Sequence, residues 1–166
     1  MSRAFVKEPD GDQVSEDIPE RVHSPHVNYV TPAGLRQLHE RVSKLLELRI
    51  TVAGSASADD CRQLRYIDRD LRHYEERIRR AVPIDPSAQP KDEVHFGSVV
   101  EVETTEGRRM TFAIVGEDEA DAARGKISWV SPLARALTDA RVGDAVAWKR
   151  PAGEIDLTIV AIRTSS

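Results

Sequence analysis

The chain holds one cysteine, Cys61, among its 166 residues. A single thiol excludes an intrachain disulfide framework and a thiolate-rich zinc site, and it fits a reducing compartment. No apolar run approaches the length of a membrane span. The opening MSRAFVKEPDGDQ lacks the apolar core of a signal peptide, so a cytoplasmic location is expected. No G-x-x-x-x-G-K-[ST] loop is present. The letters DEAD within GEDEAD (116–121) therefore read as an acidic loop between two strands and not as part of a helicase. There is no G-x-S-x-G elbow, and no histidine pair at i,i+4 beside a carboxylate. His23, His26, His39, His73 and His95 read as surface or second-layer residues. The residues by themselves offer no enzyme active site.

What is present is an ordinary soluble balance, 40% apolar and 31% charged, with a net charge of −4. The charge is unevenly spread. Residues 1–30 carry three basic and six acidic groups, whereas residues 61–80 carry seven arginines against four acids. Arg62, Arg65, Arg69 and Arg72, spaced 3, 4 and 3, share one helix face. That face could track a nucleic-acid backbone. It could equally be a solvated flank, with Asp68 and Glu76 pairing at i,i+4 to Arg72 and Arg80. No interleaved aromatics support base stacking along it.

The pattern divides the chain into four parts. Residues 1–27 mix Pro, Gly, Ser and acids, and read as a flexible arm. Residues 28–82 read as an antiparallel coiled-coil hairpin. Thr31 and Pro32 open its first helix as N-cap and first position. Leu35, Leu38, Val42, Leu45 and Val52 form its apolar face, and Gly54 stops it. Leu64, Ile67, Leu71, Tyr74 and Ile78 form a heptad seam on the second helix. Each arm of about 20–24 residues would reach roughly 30–36 Å. Residues 83–93 read as a Pro-rich linker. Residues 94–166 read as a small, mostly antiparallel sheet with one short helix, SPLARAL, capped by Ser131. KISWV reads as a short strand. EIDLTIVAI reads as a final strand burying Ile155, Leu157, Ile159 and Ala161. The fold class expected is α+β.

The ordered pattern FG, IVGEDEAD, ISWVSPLARAL, VGD and PAGE across 94–163 resembles the C-terminal domain of the GreA/GreB transcript-cleavage factors. NYVTPAGLRQL (28–38) and LRYIDRDL (64–71) resemble the two sides of that family's coiled coil. The resemblance implies an FKBP-like C-terminal domain that docks on the rim of the secondary channel of bacterial RNA polymerase. Carried over by position, the docking residues are Ser131, Pro132, Leu133 and Arg135, with Asp118, Glu119 and Asp121 on an adjacent loop. Val130 stands where GreB-type proteins tend to have Asp. The core polymerase is the implied partner. Contact of Arg62, Arg65, Arg69 and Arg72 with nascent RNA is an added expectation, as are a monomeric state and no membrane association.

In cleaving members the hairpin tip reads like G-D-x-x-E-N, and its acids help hold a second magnesium ion that activates water. Here the tip is VAGSASADD (52–60), with Asp59 and Asp60 the only catalytic candidates. Adjacent on a helix, they point about 100° apart. Ser57-x-x-Asp60 fits a capping pattern instead. The hairpin also looks shorter by about two turns per arm, roughly 11 Å. A non-cleaving regulator nearer the Rnk type is the reading taken. It needs no cofactor of its own, beyond at most a magnesium ion shared with the polymerase. Cleavage of backtracked RNA through Asp59 and Asp60 is the alternative. Two further rivals are a prolyl isomerase, which would have to build a pocket from Phe96, Phe112, Trp129 and Trp148, and an adaptor dimerising through Leu46, Leu48 and Ile50.

Overall fold

The structure is a computed structural model and describes residues 18–54 and 57–164. Most of the flexible arm expected at 1–27 lies outside the described residues, as do Ser55 and Ala56 of the tip. Strand β1 (Asn28–Val30) leads into helix α1 (Pro32–Ala53), and α2 (Ala58–Arg79) returns to strand β2 (Ala81–Pro83). Both helices have 22 residues, or about 33 Å at the helical rise. Thr31 is in extended backbone and its side chain accepts from the Gly34 N–H at 2.9 Å, with Pro32 at the first position. That satisfies one of the donors a helix start leaves open. Across the hairpin, Val52, Ile67 and Leu71 form a buried seam with Val42, Leu45 and Leu64 packed beside them.

β1 and β2 pair in parallel, Asn28 with Ala81 through Val30 with Pro83. Neither strand is expected from the sequence, because three residues carry no usable alternation. Their pairing clamps the chain entering α1 to the chain leaving α2. The stretch after the hairpin therefore begins as a strand and continues through a 3-10 turn at Pro86–Ala88.

The remaining strands are β3 (Ser98–Thr104), β4 (Arg109–Val115), β5 (Lys126–Ser128), β6 (Ala145–Arg150) and β7 (Gly153–Thr164), with helix α3 (Pro132–Leu137) between β5 and β6. They form one sheet in the order β5-β4-β3-β7-β6, antiparallel except for the β4–β5 pair. α3 buries Leu133, Ala134 and Leu137 against Val100, Val102, Ile114, Leu157 and Ile159.

Two local expectations are corrected. The strand expected over KISWV ends at Ser128, and Trp129 and Val130 are in a turn. In β7 the register shifts: Glu101 faces Ala161, yet Val102 faces Ile159. Val160 is thus an extra residue, and the bulge flips the face presented beyond it. Ile162, not Ala161, packs on the core.

Candidate functional site

Three regions carry the candidate residues: the hairpin tip, the arginine face of α2, and the edge made by α3 with the acidic loop before β5.

At the tip, Gly54 caps α1 and Ser57 caps α2. The Ser57 hydroxyl accepts from the Asp60 N–H at 3.1 Å and donates to the Asp60 carboxylate. This is a capping arrangement in which Asp60 closes onto the cap residue itself. Asp59 is exposed in the same first turn, where the helix dipole favours a negative charge. One carboxylate of the pair is thus already engaged in a helix start. Among the described residues, no group of three or more His, Cys, Asp or Glu side chains is placed to hold a metal ion. Asp59 and Asp60 are adjacent on the helix, so their side chains leave it about 100° apart.

The arginine face divides in two. Arg62 and Arg65, nearer the tip, are exposed. Arg69 bonds to Asp70 through Nε and Nη2 at 3.0 and 2.8 Å and lies over the Tyr66 ring. Arg72 pairs with Glu20 of the N-terminal segment, its Nε at 3.2 Å, and this bond raises the guanidinium pKa. The i,i+4 pairs expected from Asp68 and Glu76 do not form. Asp68 reaches across the hairpin to Arg49 at 2.7 Å, and Glu76 pairs with Arg79. A facing helix supplied a nearer cation in the first case, and an i,i+3 neighbour did so in the second.

The N-terminal segment 18–27 lies along the base of α2. Arg21 sits over Tyr74 at 5.2 Å and 3.6 Å from Asp70. His23 stacks on His73 with ring centroids 4.8 Å apart and planes within 7°. Burial holds the His73 imidazole below its ordinary pKa, and the nearby Arg21 and His23 act in the same direction. His73 and Arg77 are the buried polar members of α2. They lie off the heptad seam, and no local pattern marks the neighbours that cover them.

At the α3 edge, Ser131 caps the helix through the Ala134 N–H at 3.2 Å. Pro132 and Arg135 are exposed, whereas Leu133 is buried in the core. Asp118, Glu119 and Asp121 have internal partners. Asp118 accepts from Arg77 Nε at 2.6 Å. Glu119, 8% exposed, accepts from the Thr31 hydroxyl at 2.5 Å and pairs with Lys126 at 3.2 Å. Asp121 caps a 3-10 turn through the Ala123 N–H and pairs with Arg124 at 3.5 Å. A charged cleft of about 380 Å³ opens between this loop and Arg41 and Lys44 of α1.

The aromatic side chains do not converge on one pocket. Phe112 meets Trp148, while Phe96 and Trp129 both meet Tyr29. Arg150 covers the Trp148 ring at 5.3 Å. Leu46, Leu48 and Ile50 on the outer half of α1 are exposed. No helix is long and apolar enough to cross a membrane, among the described residues.

Comparison with known proteins gives a consistent picture. Residues 89–164 match the family described as transcription elongation factor, GreA/GreB, C-term. The chain is 36% identical over 151 residues to transcription elongation factor GreB of Neisseria meningitidis serogroup B strain MC58, covering 81% of this chain and 93% of that protein. It is 39% identical over 99 residues to GreA of Geobacillus kaustophilus, covering 59% of this chain and 63% of that one. Among solved structures, Thermus aquaticus Gfh1 is 27% identical with a TM-score of 0.42, covering 81% of this chain and 97% of that one.

Proposed function

The chain belongs to the GreA/GreB family of transcription elongation factors, and on that premise we propose that it binds bacterial RNA polymerase without stimulating RNA cleavage. In this reading the globular part docks at the rim of the secondary channel and holds the short hairpin in or over it. The effect is by occupancy, through competition with cleavage factors or a change in elongation and pausing.

The observation that carries the reading is the tip. Asp60 closes onto the Ser57 cap, and among the described residues no group of three or more His, Cys, Asp or Glu side chains is placed to hold a metal ion. Reach points the same way. Arms of 22 residues extend about 33 Å, which the reading takes as the short, non-cleaving kind of hairpin. A metal-holding group placed a few ångströms short loses its effect.

For docking, Pro132 and Arg135 supply the exposed edge. Leu133 and Ser131 hold that edge rigid, by core packing and by capping. Two experiments test the reading. Core polymerase should be retained by the wild-type chain and lost at least tenfold (about 1.4 kcal/mol) in Pro132→Ala/Arg135→Glu. Retained binding in that variant refutes the edge. Backtracked elongation complexes should show no added transcript cleavage. Strong cleavage that disappears in Asp59→Ala/Asp60→Ala refutes the non-cleaving reading and restores the tip as a catalytic element.

A further inference from the structure

The acidic loop at 117–119 is spent inside the molecule. We propose that it is a lock that fixes the direction in which the hairpin leaves the globular part, so that Asp118 and Glu119 are positioning residues and not partner contacts. The geometric part of this inference stands on the structure alone. Its consequence for polymerase rests on the reading above.

The loop holds the bases of both helices at once. On α2, the Arg77 side chain is 3% exposed. Its Nε donates to Asp118 at 2.6 Å and its Nη2 to Asn28 Oδ1 at 2.5 Å, with Glu117 3.7 Å away. Asn28 returns the bond, its Nδ2 donating to the Arg77 carbonyl at 2.7 Å. That carbonyl lies in the last turn of α2, where helical partners run out. On α1, the Thr31 cap hydroxyl accepts from Gly34 and donates to Glu119, whose other oxygen takes Lys126. Neighbouring residues of one short loop thus grip two helices whose axes are about 8–10 Å apart. One grip would leave a pivot; two remove it.

The approach is close enough to need glycine. A Cβ on Gly116 would meet the Tyr29 carbonyl oxygen at 2.5 Å, and one on Gly34 would meet Glu119 Oε2 at 2.6 Å. The sequence therefore keeps both surfaces bare where the loop and hairpin base touch. Buried ion pairs of this kind add little net stability, because desolvation offsets attraction, but they can select one geometry. The lever makes that selection matter. A 10° change at the base moves a tip about 33 Å away by about 6 Å.

The test uses the native Cys61, exposed near the tip, and a second label at Thr158→Cys, an exposed site in β7. Nitroxide pairs on the full chain report the distance between tip and sheet. The parent should give one narrow distribution. Arg77→Met, Asp118→Asn and Gly116→Ala should each broaden or shift it by several ångströms, about 6 Å for a 10° swing, with helix content unchanged by circular dichroism. Asp118→Asn keeps the side chain's shape and Gly116→Ala changes no charge, so one of the three failing to fold leaves the others decisive. Unchanged centre and width in the folded variants overturn the lock. In parallel, Asp118→Asn should bind core polymerase within about twofold of wild type, well under the tenfold that 1.4 kcal/mol represents, while its effect on elongation falls. A loss of tenfold or more with an unchanged distance distribution overturns the positioning role and makes Asp118 a contact. Failure of the wild-type chain to bind polymerase refutes the proposed function and leaves the distance result standing.

Discussion

Thr31 and Ser57 do the same local job at opposite ends of the hairpin, and that makes them a controlled pair. Each is an extended N-cap whose hydroxyl accepts from the third residue on. Loss of such a cap costs about 1 kcal/mol. Ser57 is exposed, and its donation to the Asp60 carboxylate lies in the same exposed turn, where water replaces it, so Ser57→Ala should cost about that and no more. Thr31 is 3% exposed, and its hydroxyl also donates to the buried Glu119. A hydrogen bond to a charged group contributes about 1.5–3 kcal/mol, and the carboxylate left behind is dry. Lys126 still holds its other oxygen, which keeps the sum toward the low side. Thr31→Ala should therefore cost about 3 kcal/mol, roughly three times the Ser57→Ala value. Urea unfolding followed by tryptophan fluorescence is the assay, since Trp129 stacks edge-on to Tyr29 two residues before the cap. A Thr31→Ala/Glu119→Gln double-mutant cycle should give a coupling of at least about 1 kcal/mol. Equal costs for the two caps, or no coupling, would refute the double role of Thr31.

Three further outcomes follow from the same contacts. His73 is held below its ordinary pKa of 6.5 by burial, then by Arg21 and His23, with Arg77 adding to this and Asp118 opposing it. The unfolded chain thus binds the proton more readily, so this part of the stability is complete above about pH 6.5 and is lost as pH falls toward the lowered value. The urea midpoint should drop between pH 7.5 and pH 5.5, and His73→Phe should flatten that slope. Glu20→Lys removes the Arg72 partner, an exposed pair that solvent screens. It should leave the unfolding midpoint nearly unchanged yet speed protease cleavage within 18–27; unaltered cleavage would count against Glu20 tethering the segment. Leu137 is fully buried under the sheet, so Leu137→Ala should cost about 2–5 kcal/mol, read as a loss of the cooperative transition at lower urea; a cost below 1 kcal/mol would mean α3 is not part of the core.

The elements with strong periodicity or explicit caps were legible before any coordinates. α1, α2 and α3 begin at Thr31, Ser57 and Ser131, because cap chemistry is local and reads directly from residue type. Of the expected seam, Leu64, Ile67 and Leu71 pack with Val42, Leu45 and Val52, whereas Tyr74 lies under Arg21 and Arg41. What was hidden depends on neighbours distant in sequence. β1 and β2 are three residues each and pair across about fifty positions, beyond any local pattern. The bulge at Val160 breaks an alternation that a sequence can only continue. His73 read as a surface or second-layer residue and Arg77 drew no reading of its own, because a heptad assigns one buried stripe per helix. The base of α2 has two further neighbours, the 117–119 loop and the 18–27 segment, and each buries a polar residue on a side the seam leaves out.

The acidic loop, expected to lie beside a docking edge, turns two of its carboxylates to the hairpin base. Its letters and its place beside SPLARAL suggest an outward charge for a partner to meet. Yet Asp118 and Glu119 each face a group on the hairpin base, whereas Pro132 and Arg135 are exposed along the adjacent edge. The two roles divide naturally along the chain. A docking edge needs residues that water can reach and that another protein can displace it from. A lever needs residues that nothing displaces. On the proposed reading the 117–135 stretch carries both, with β5 between them, so a partner seated on α3 would sit one strand away from the anchor that aims the hairpin. In that same reading the tip needs no chemistry of its own: its position is set at the base, and its effect by how far about 33 Å of helix extends from that base.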